Sequence, residues 1–97
     1  MTTPETPPTF HHFIAGEWCA STGGGTFESR NPADTRDIVG HFQQGTAADA
    51  AMAIKAAETA GPMWRRTPAP RRGEILYAFA ELLARHKERL ARAMTRE

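Results

Sequence analysis

A chain of 97 residues is long enough for one small domain at most, which can bury about two-thirds of its unfolded surface. With 40% hydrophobic residues, 24% charged residues and a net charge of +1, the composition is typical of a globular protein rather than a disordered or membrane-spanning one. No apolar run approaches the ~20 residues of a transmembrane helix, and no secretory signal is evident. The single cysteine, Cys19, excludes an internal disulfide framework and fits a reducing cytoplasm.

The first nine residues contain three prolines and four threonines, and they offer nothing to bury. Residues 1–9 are therefore predicted to form a flexible leader. His11 and His12 follow, and adjacent histidines raise the question of a metal site. Because neighbouring side chains point to opposite faces of a strand and no third ligand lies nearby, the pair favours an ordinary strand start.

A tight β-hairpin is predicted next, with residues 13–14 and 17–18 as its arms and Ala15-Gly16 as a two-residue loop. Ala15 is its weak point, because such a turn requires positive φ at both central residues. Three consecutive glycines, residues 23–25, then suggest a phosphate cradle. No buried strand precedes them and no Lys follows at the required spacing, so a flexible hairpin connection is favoured.

A second hairpin is predicted from two further strands. Residues 26–30 alternate inward and outward like a half-buried strand, and residues 37–43 return as its partner. Between them, Asn31-Pro32-Ala33-Asp34 is typical turn chemistry, since Pro presets φ and Asn or Asp bonds to nearby backbone amides.

A helix is predicted to begin at Thr46. Asp49 follows three residues later, close to a capping box, although Glu or Gln is usual at that position. The helix presents a face of mostly small residues, namely Ala50, Ala53, Ile54 and Ala57. Gly61-Pro62 is predicted to stop the helix, because Gly tolerates a left-handed cap and Pro cannot continue. Trp64 is expected to fill the corner before the next helix.

A long helical arm, restarted at Pro70, is predicted for the rest of the chain. Its apolar stripe at helical period comprises Ile75, Leu76, Phe79, Leu82, Leu83, Leu90 and Met94. His86-Lys87 interrupts the stripe, which predicts two helices with a bend near His86. The predicted fold class is therefore α+β, with two N-terminal β-hairpins followed by two or three α-helices.

The charge is unevenly distributed along the chain. Residues 1–64 carry three basic and seven acidic groups, net −4, and residues 65–97 carry nine basic and four acidic groups, net +5. A basic half is compatible with nucleic-acid or membrane binding. Here the basic residues are interleaved with Glu and lack aromatic residues that would stack on bases. A solvated helix face that pairs with an acidic neighbouring surface is favoured, whereas nucleic-acid binding would show a steep salt dependence.

Several stretches, in this order, carry a resemblance to a known family. They are "FIAGEW", "TFESRNPADTRDIVG", the Thr-capped Ala-rich helix and "WRRTPAPRRGEILYAFAELLARHKERLARAMTRE". From about Phe10 to Glu97 the chain resembles the N-terminus of the NAD(P)-dependent aldehyde dehydrogenase superfamily. The Asn-Pro-Ala-Asp turn followed by residues 37–40 most resembles the branch that acts on α-ketoglutarate semialdehyde (2,5-dioxopentanoate).

The resemblance implies that residues 10–97 are the truncated N-terminal portion of a Rossmann-like cofactor domain within a three-part protomer. The full-length enzyme would oxidise an aldehyde to a carboxylic acid with NAD or NADP, through a thiohemiacetal on a cysteine and a glutamate-activated water. It would be a cytoplasmic homo-oligomer without nucleic-acid or membrane partners. The remainder of the protomer would be the partner of this stretch.

No residue of the chain is expected to be catalytic, to bind the cofactor or to hold a metal, because the corresponding family residues lie far downstream. The chain alone is therefore expected to bind no NAD(P) and to be inactive. Cys19 is interpreted as a structural or incidental thiol without a base beside it, His86 as a cap at a helix end rather than a proton-transfer group, and Arg72 as structural. The resemblance also implies a monovalent-cation site near Ser29-Arg30 in some members, but its ligand set needs downstream residues.

The chain stops at "MTRE", where relatives would continue, and is therefore expected to be a fragment. The alternative is a small non-catalytic helical interaction module whose exposed apolar stripe binds a partner helix or sheet. The DNA after codon 97 tests this, since a continuing frame that encodes a Gly-Lys-Pro-like run favours the enzyme and a stop favours a fragment or the module. A thin core also predicts that the isolated chain is partly molten or self-associating.

Overall fold

Five strands followed by three helices make up the computed structural model, which describes residues 6–97. This order confirms the predicted α+β class. The strands are β1 (Thr9–Phe10), β2 (His12–Ile14), β3 (Glu17–Cys19), β4 (Thr26–Asn31) and β5 (Asp34–Gln43). The helices are α1 (Ala47–Arg66), α2 (Ala69–Arg85) and α3 (Lys87–Arg96). Of the predicted leader, residues 1–5 lie outside the described residues, whereas Thr9 already belongs to a strand.

Strands β2 and β3 form the first predicted hairpin. Ile14 pairs with Glu17, so Ala15 and Gly16 are the two loop residues, with φ of 54° and 78°. Phe13 pairs with Trp18, and their ring centroids lie 4.7 Å apart. An L-residue with a side chain in the left-handed region costs about 1–2 kcal/mol, so Ala15 is strained, as its sequence position indicates.

The second predicted hairpin consists of β4 and β5, which pair antiparallel. Asn31 pairs with Asp34 across Pro32-Ala33, and the side-chain Oδ1 of Asn31 accepts a hydrogen bond from the Ala33 amide at 2.9 Å. The turn therefore uses two residues, and β5 starts at Asp34, three residues earlier than the sequence predicted. The local Asx bond explains the difference, because it completes the reversal before Asp34.

The edge strand β1 was not predicted and pairs with β5 in parallel, giving the strand order β1-β5-β4. Phe10, Phe42 and Phe27 stand in register across the three strands, with centroid separations of 5.0 Å and 5.9 Å along the row. Gly40 lies beneath this row. A Cβ at Gly40 would come within 2.6 Å of the Phe10 ring, so glycine permits the close approach of β1.

Helix α1 begins with the predicted capping box, in which Asp takes the place of Glu. The Thr46 hydroxyl accepts a hydrogen bond from the Asp49 amide at 3.1 Å, and the Asp49 carboxylate accepts one from the Thr46 amide at 3.0 Å. Two backbone donors that the helix leaves without partners are therefore satisfied by the two side chains.

The same Asp49 carboxylate also holds the glycine loop that precedes β4. The Ser21 hydroxyl donates to it at 2.6 Å, and Thr22 donates through its amide at 2.9 Å and its hydroxyl at 2.8 Å. Gly23 fits beside this contact, since a Cβ there would lie 3.0 Å from the Thr46 methyl group. The loop is thus packed on the start of α1 rather than being the free connection that the sequence predicted.

The predicted end of α1 at Gly61-Pro62 is wrong, because the helix continues to Arg66 with Pro62 inside it. Gly61 does not adopt positive φ, and the φ of proline fits a helix at the cost of one hydrogen bond. The stop comes instead at Thr67, which is extended at φ −66° and ψ 124° because Pro68 follows it. Trp64 therefore lies within α1, is 43% exposed and does not fill the predicted corner.

Helices α2 and α3 confirm the predicted arm and its bend. Pro70 lies in the first turn of α2, and His86 separates α2 from α3 at φ −102° and ψ 17°. The His86 amide donates to the Leu82 and Ala84 carbonyls, and its side chain makes no capping hydrogen bond.

Replacing Ala15 with glycine should stabilise the first hairpin by about 1 kcal/mol, because glycine adopts positive φ without strain. Hydrogen exchange at the backbone amides of β2 and β3 measures this local stability without requiring a cooperative transition of the whole chain. Ala20→Gly is the control, since Ala20 does not have positive φ. A gain of equal size in both variants would contradict the role of the turn.

Asp49→Asn should open the junction between α1 and the Ser21-Thr22 loop. The amide nitrogen of Asn would replace one carboxylate oxygen, and it could not accept the hydrogen bonds that Ser21 and Thr22 now donate there. We expect faster hydrogen exchange at the Ala50 amide, which donates to the Thr46 carbonyl at 3.1 Å in the first turn. Glu58→Gln, an acid-to-amide change on the exposed side of α1, should leave that rate unchanged.

The junction should also be acid-sensitive. The Ser21 hydroxyl, followed by the Thr22 and Thr46 amides, holds the pKa of Asp49 well below its ordinary value of 3.8. A depressed folded-state pKa means that the stabilisation is complete above this ordinary value and is lost as the pH falls towards the folded-state pKa. Exchange at Ala50 should therefore accelerate in wild type as the pH falls below 3.8, once corrected for intrinsic rates, and Asp49→Asn should remove this response.

Candidate interaction surface

The described chain buries little apolar surface. Its accessible area is 8223 Å², compared with about 5,500 Å² for a compact monomer of this mass. The radius of gyration is 17.5 Å, against about 12.5 Å for a compact chain of this length. Within residues 6–97, Val39 is the one hydrophobic residue that is buried. The candidate functional features are therefore surfaces rather than an enclosed site.

One of these surfaces lies on α2. Five apolar side chains recur at helical spacing and are each 40–60% exposed, namely Ile75, Leu76, Phe79, Leu82 and Leu83. This set is called the α2 face below. Tyr77 lies about half a turn away on the opposite side of the helix and is 80% exposed. The α2 face forms the apolar stripe that the sequence predicted, but nothing in the described part of the chain packs closely against it.

Arg72 lies on the same side of the helix at the N-terminal end of the α2 face, because Ile75, Leu76 and Phe79 follow it at helical spacings of three, four and seven. Its Nε is buried and has no hydrogen-bond partner among the described residues. Nor does Arg72 have an ion-pair partner there, whereas Arg71 beside it pairs with Glu74 at 3.0 Å. Arg72 was predicted to be structural, but residues 6–97 provide no hydrogen-bond acceptor for its Nε.

A second feature is an open cleft of about 530 Å³ between the first hairpin and α1. It is lined by His12, Phe13, Ile14, Gly45, Thr46, Asp49, Ala50 and Ala53. The predicted small-residue face of α1 forms one wall, which lets the hairpin approach while burying little area. The Asp49 carboxylate on the cleft wall is already occupied by its donors.

His12 and Cys19 meet across the first hairpin, where they are directly opposite in register. The sequence did not predict that pairing of β2 with β3 places a histidine opposite Cys19. No hydrogen bond joins the two side chains within the described residues. His12 Nε2 instead lies 3.5 Å from the Asp49 carboxylate, and it makes no hydrogen bond within residues 6–97.

A third feature joins the end of the helical arm to β5. Arg96 donates from Nε to Asp37 at 2.8 Å and from Nη2 to the second carboxylate oxygen, in a bidentate pair. The Arg96 bonds, with a further one from Asn31, lower the pKa of Asp37 to about 2. The sequence did not predict this contact, which spans 59 positions.

The other residues that the sequence analysis considered lie apart from one another. Ser29 and Arg30 flank an irregularity in the pairing of β4 with β5, and Arg30 bonds to Glu28 and to the Thr35 carbonyl. The described residues contain no group of three or more His, Cys, Asp or Glu side chains placed to hold a metal ion. Among them, no helix combines the length and the apolar character needed to cross a bilayer.

Three features of these surfaces were missed by reading the sequence: the bonds of Ser21 and Thr22 to Asp49, the lack of a partner at Arg72, and the pairing of Arg96 with Asp37. A Ser-Thr pair before glycines is ordinary loop composition, so no signal marked the first. The second could be suspected only from an arginine placed inside an apolar helical stripe.

Comparison with known proteins gives consistent results. The model of the "Aldehyde dehydrogenase family" matches residues 18–97. The α-ketoglutaric semialdehyde dehydrogenase of Bacillus subtilis is 40% identical over 89 residues, covering 92% of this chain and 18% of the relative. Malonate-semialdehyde dehydrogenase 1 of Geobacillus kaustophilus is 36% identical over 97 residues, covering 100% of this chain and 20% of the relative.

Among solved structures, 3,6-anhydro-L-galactose dehydrogenase in complex with NAP superposes with a TM-score of 0.82 at 30% identity, covering 87% of this chain and 17% of that one. The chain thus spans about a fifth or less of the length of these relatives. The family-model match includes β4, β5 and all three helices. The family model covers most of the sequence, and the chain belongs to the aldehyde dehydrogenase family.

Proposed function

We propose that these 97 residues serve as the N-terminal portion of an NAD(P)-dependent dehydrogenase that oxidises α-ketoglutarate semialdehyde to the dicarboxylic acid. The observation that carries this proposal is the match of residues 18–97 to the family, together with 40% identity to an α-ketoglutaric semialdehyde dehydrogenase. The remainder of the protomer is then its partner. The full-length protein would be a cytoplasmic homo-oligomer.

In this proposal the chain supplies structure rather than chemistry, as the opening part of the cofactor domain over residues 10–97. The bound dinucleotide would supply hydride acceptance. The start of the glycine run does not fit a dinucleotide phosphate, because Gly23 packs against Thr46, whose methyl carbon lies 3.0 Å from the Cβ position of Gly23, and the Thr22 amide already donates to Asp49. Coenzyme and aldehyde would therefore be held by residues other than these.

The substrate proposal is tested on the complete polypeptide encoded by the reading frame that contains this chain. We expect reduction of NAD⁺ or NADP⁺ with α-ketoglutarate semialdehyde, at a kcat/KM at least about tenfold above that for malonate semialdehyde. Absorbance of the reduced coenzyme measures both rates. A preference for malonate semialdehyde would reject the substrate and keep the enzyme class, whereas a stop after codon 97 would favour the interaction module.

The isolated 97-residue chain should reduce neither coenzyme and should lack a sharp unfolding transition as a monomer, because its apolar surface is largely exposed. Chemical denaturation followed by Trp18 and Trp64 fluorescence, with the mass in solution, measures this. A cooperative transition in a monomer would show that the stretch folds alone.

A further inference from the structure

We propose that His12, Ser21 and Asp49 form a two-state latch between the first hairpin and α1. In the open arrangement, which this structure contains, the Ser21 hydroxyl donates to Asp49 Oδ2 and His12 Nε2 has no partner within residues 6–97. In the closed arrangement His12 Nε2 donates to Oδ2, and the Ser21 hydroxyl donates to the Gln44 carbonyl instead. The latch involves contacts of this chain alone and does not depend on which aldehyde the full-length protein oxidises.

The base of the first hairpin is fixed by one side chain. Gln43 donates from Nε2 to the Phe10 carbonyl at 3.1 Å, and its Oε1 accepts from the Ser21 amide at 2.8 Å. These contacts lie just before and just after the hairpin, and Gln43 itself is buried. The body of the hairpin faces α1 across the open cleft of about 530 Å³, where α1 contributes Asp49 and small alanine side chains. The hairpin is thus held at its base and has room to approach α1.

His12 is placed to complete this approach. Its Nε2 is withdrawn from solvent and lies 3.5 Å from Asp49 Oδ2. An N–H···O hydrogen bond has a donor–acceptor distance of about 2.7–3.2 Å, so a movement of about half an ångström is sufficient. A buried polar group without a partner is unfavourable, whereas a hydrogen bond to a carboxylate is among the stronger ones. Closure therefore requires a small movement, with the imidazole hydrogen on Nε2.

The open arrangement leaves no acceptor position for His12. An ionised carboxylate offers about four lone-pair positions. Asp49 Oδ1 accepts from the amide and the hydroxyl of Thr22, and Oδ2 accepts from the Ser21 hydroxyl and the Thr46 amide. Because His12 faces Oδ2, it competes with Ser21 or Thr46 rather than with Thr22.

Ser21 is the donor that can leave this position. Its hydroxyl oxygen lies 2.6 Å from Asp49 Oδ2 and 2.9 Å from the Gln44 carbonyl oxygen. A hydroxyl carries one hydrogen, so it serves one of these acceptors at a time. The Thr46 amide, in contrast, is held in the capping box by the backbone of α1. When the Ser21 hydroxyl turns to Gln44, His12 occupies the vacated position on Oδ2 and no donor loses its partner.

The latch is tested by hydrogen exchange in the polypeptide encoded by the complete reading frame, read by mass spectrometry on peptides that cover residues 11–20. His12→Ala removes the closing donor and should raise the exchange rate of the hairpin amides by at least about threefold, because one hydrogen bond to a carboxylate is lost. His11→Ala is the matched control, since His11 is the exposed neighbour and has no place in the latch. Equal acceleration by both substitutions, or none by His12→Ala, would overturn the proposal.

Ser21→Ala separates the latch from an ordinary structural contact. It removes the competitor for Oδ2 and keeps the backbone amide that donates to Gln43. Exchange in the hairpin should therefore become slower by about twofold or more, whereas loss of a merely structural serine would accelerate it. The double variant His12→Ala/Ser21→Ala should lose this slowing. Faster exchange in Ser21→Ala, or slowing that persists without His12, would refute the two-state arrangement.

The outcome is independent of catalysis, because hydrogen exchange needs neither aldehyde nor coenzyme. Opposite effects of His12→Ala and Ser21→Ala in a polypeptide without dehydrogenase activity would support the latch while the proposed function fails. Turnover of the semialdehyde with hairpin exchange unchanged in both variants would overturn the latch and leave the proposed function standing.

Discussion

The Asp49 carboxylate accepts hydrogen bonds from two separate parts of the chain at once. The Thr46 amide belongs to the start of α1, and the Ser21 and Thr22 donors belong to the loop before β4. Its side chain is largely withdrawn from solvent, where charge-assisted hydrogen bonds are strong. The alanine-rich face of α1 buries little area against the hairpin, so the direction of the helix relative to the strands depends mainly on this one group.

Local chemistry explains which parts of the fold the sequence could predict. The two hairpins, the Thr46 cap and the bend at His86 follow from turn residues, capping spacing and apolar periodicity, which act over a few positions. The end of α1 depended on two competing prolines: Pro62 keeps a compatible φ inside the helix, and Pro68 forces Thr67 to be extended. Composition alone did not separate these cases.

Contacts between distant residues account for what the sequence could not provide. Strand β1 exists because Gly40 leaves room for Phe10, and Asp37 meets Arg96 across 59 positions. Neither the strand nor the ion pair is marked by a periodic pattern in the sequence. The candidate surface itself was predictable as an apolar stripe, but Arg72 at its N-terminal end became informative only when its Nε was seen without an acceptor. Family membership then follows from the ordered whole rather than from any one motif.

The two long-range polar contacts differ in the length of chain that each must close. The bond from Ser21 to Asp49 spans 28 positions and that from Arg96 to Asp37 spans 59, and each doubling of loop length adds only about 0.6 kcal/mol of closure entropy. The two contacts differ more in the time at which their residues are synthesised. A ribosome adding about 5–20 residues per second emits Asp49 roughly 2–9 s before Arg96. The strands and the first helix can therefore be joined during synthesis before the helical arm is complete, and the arm then docks onto a half that is already assembled.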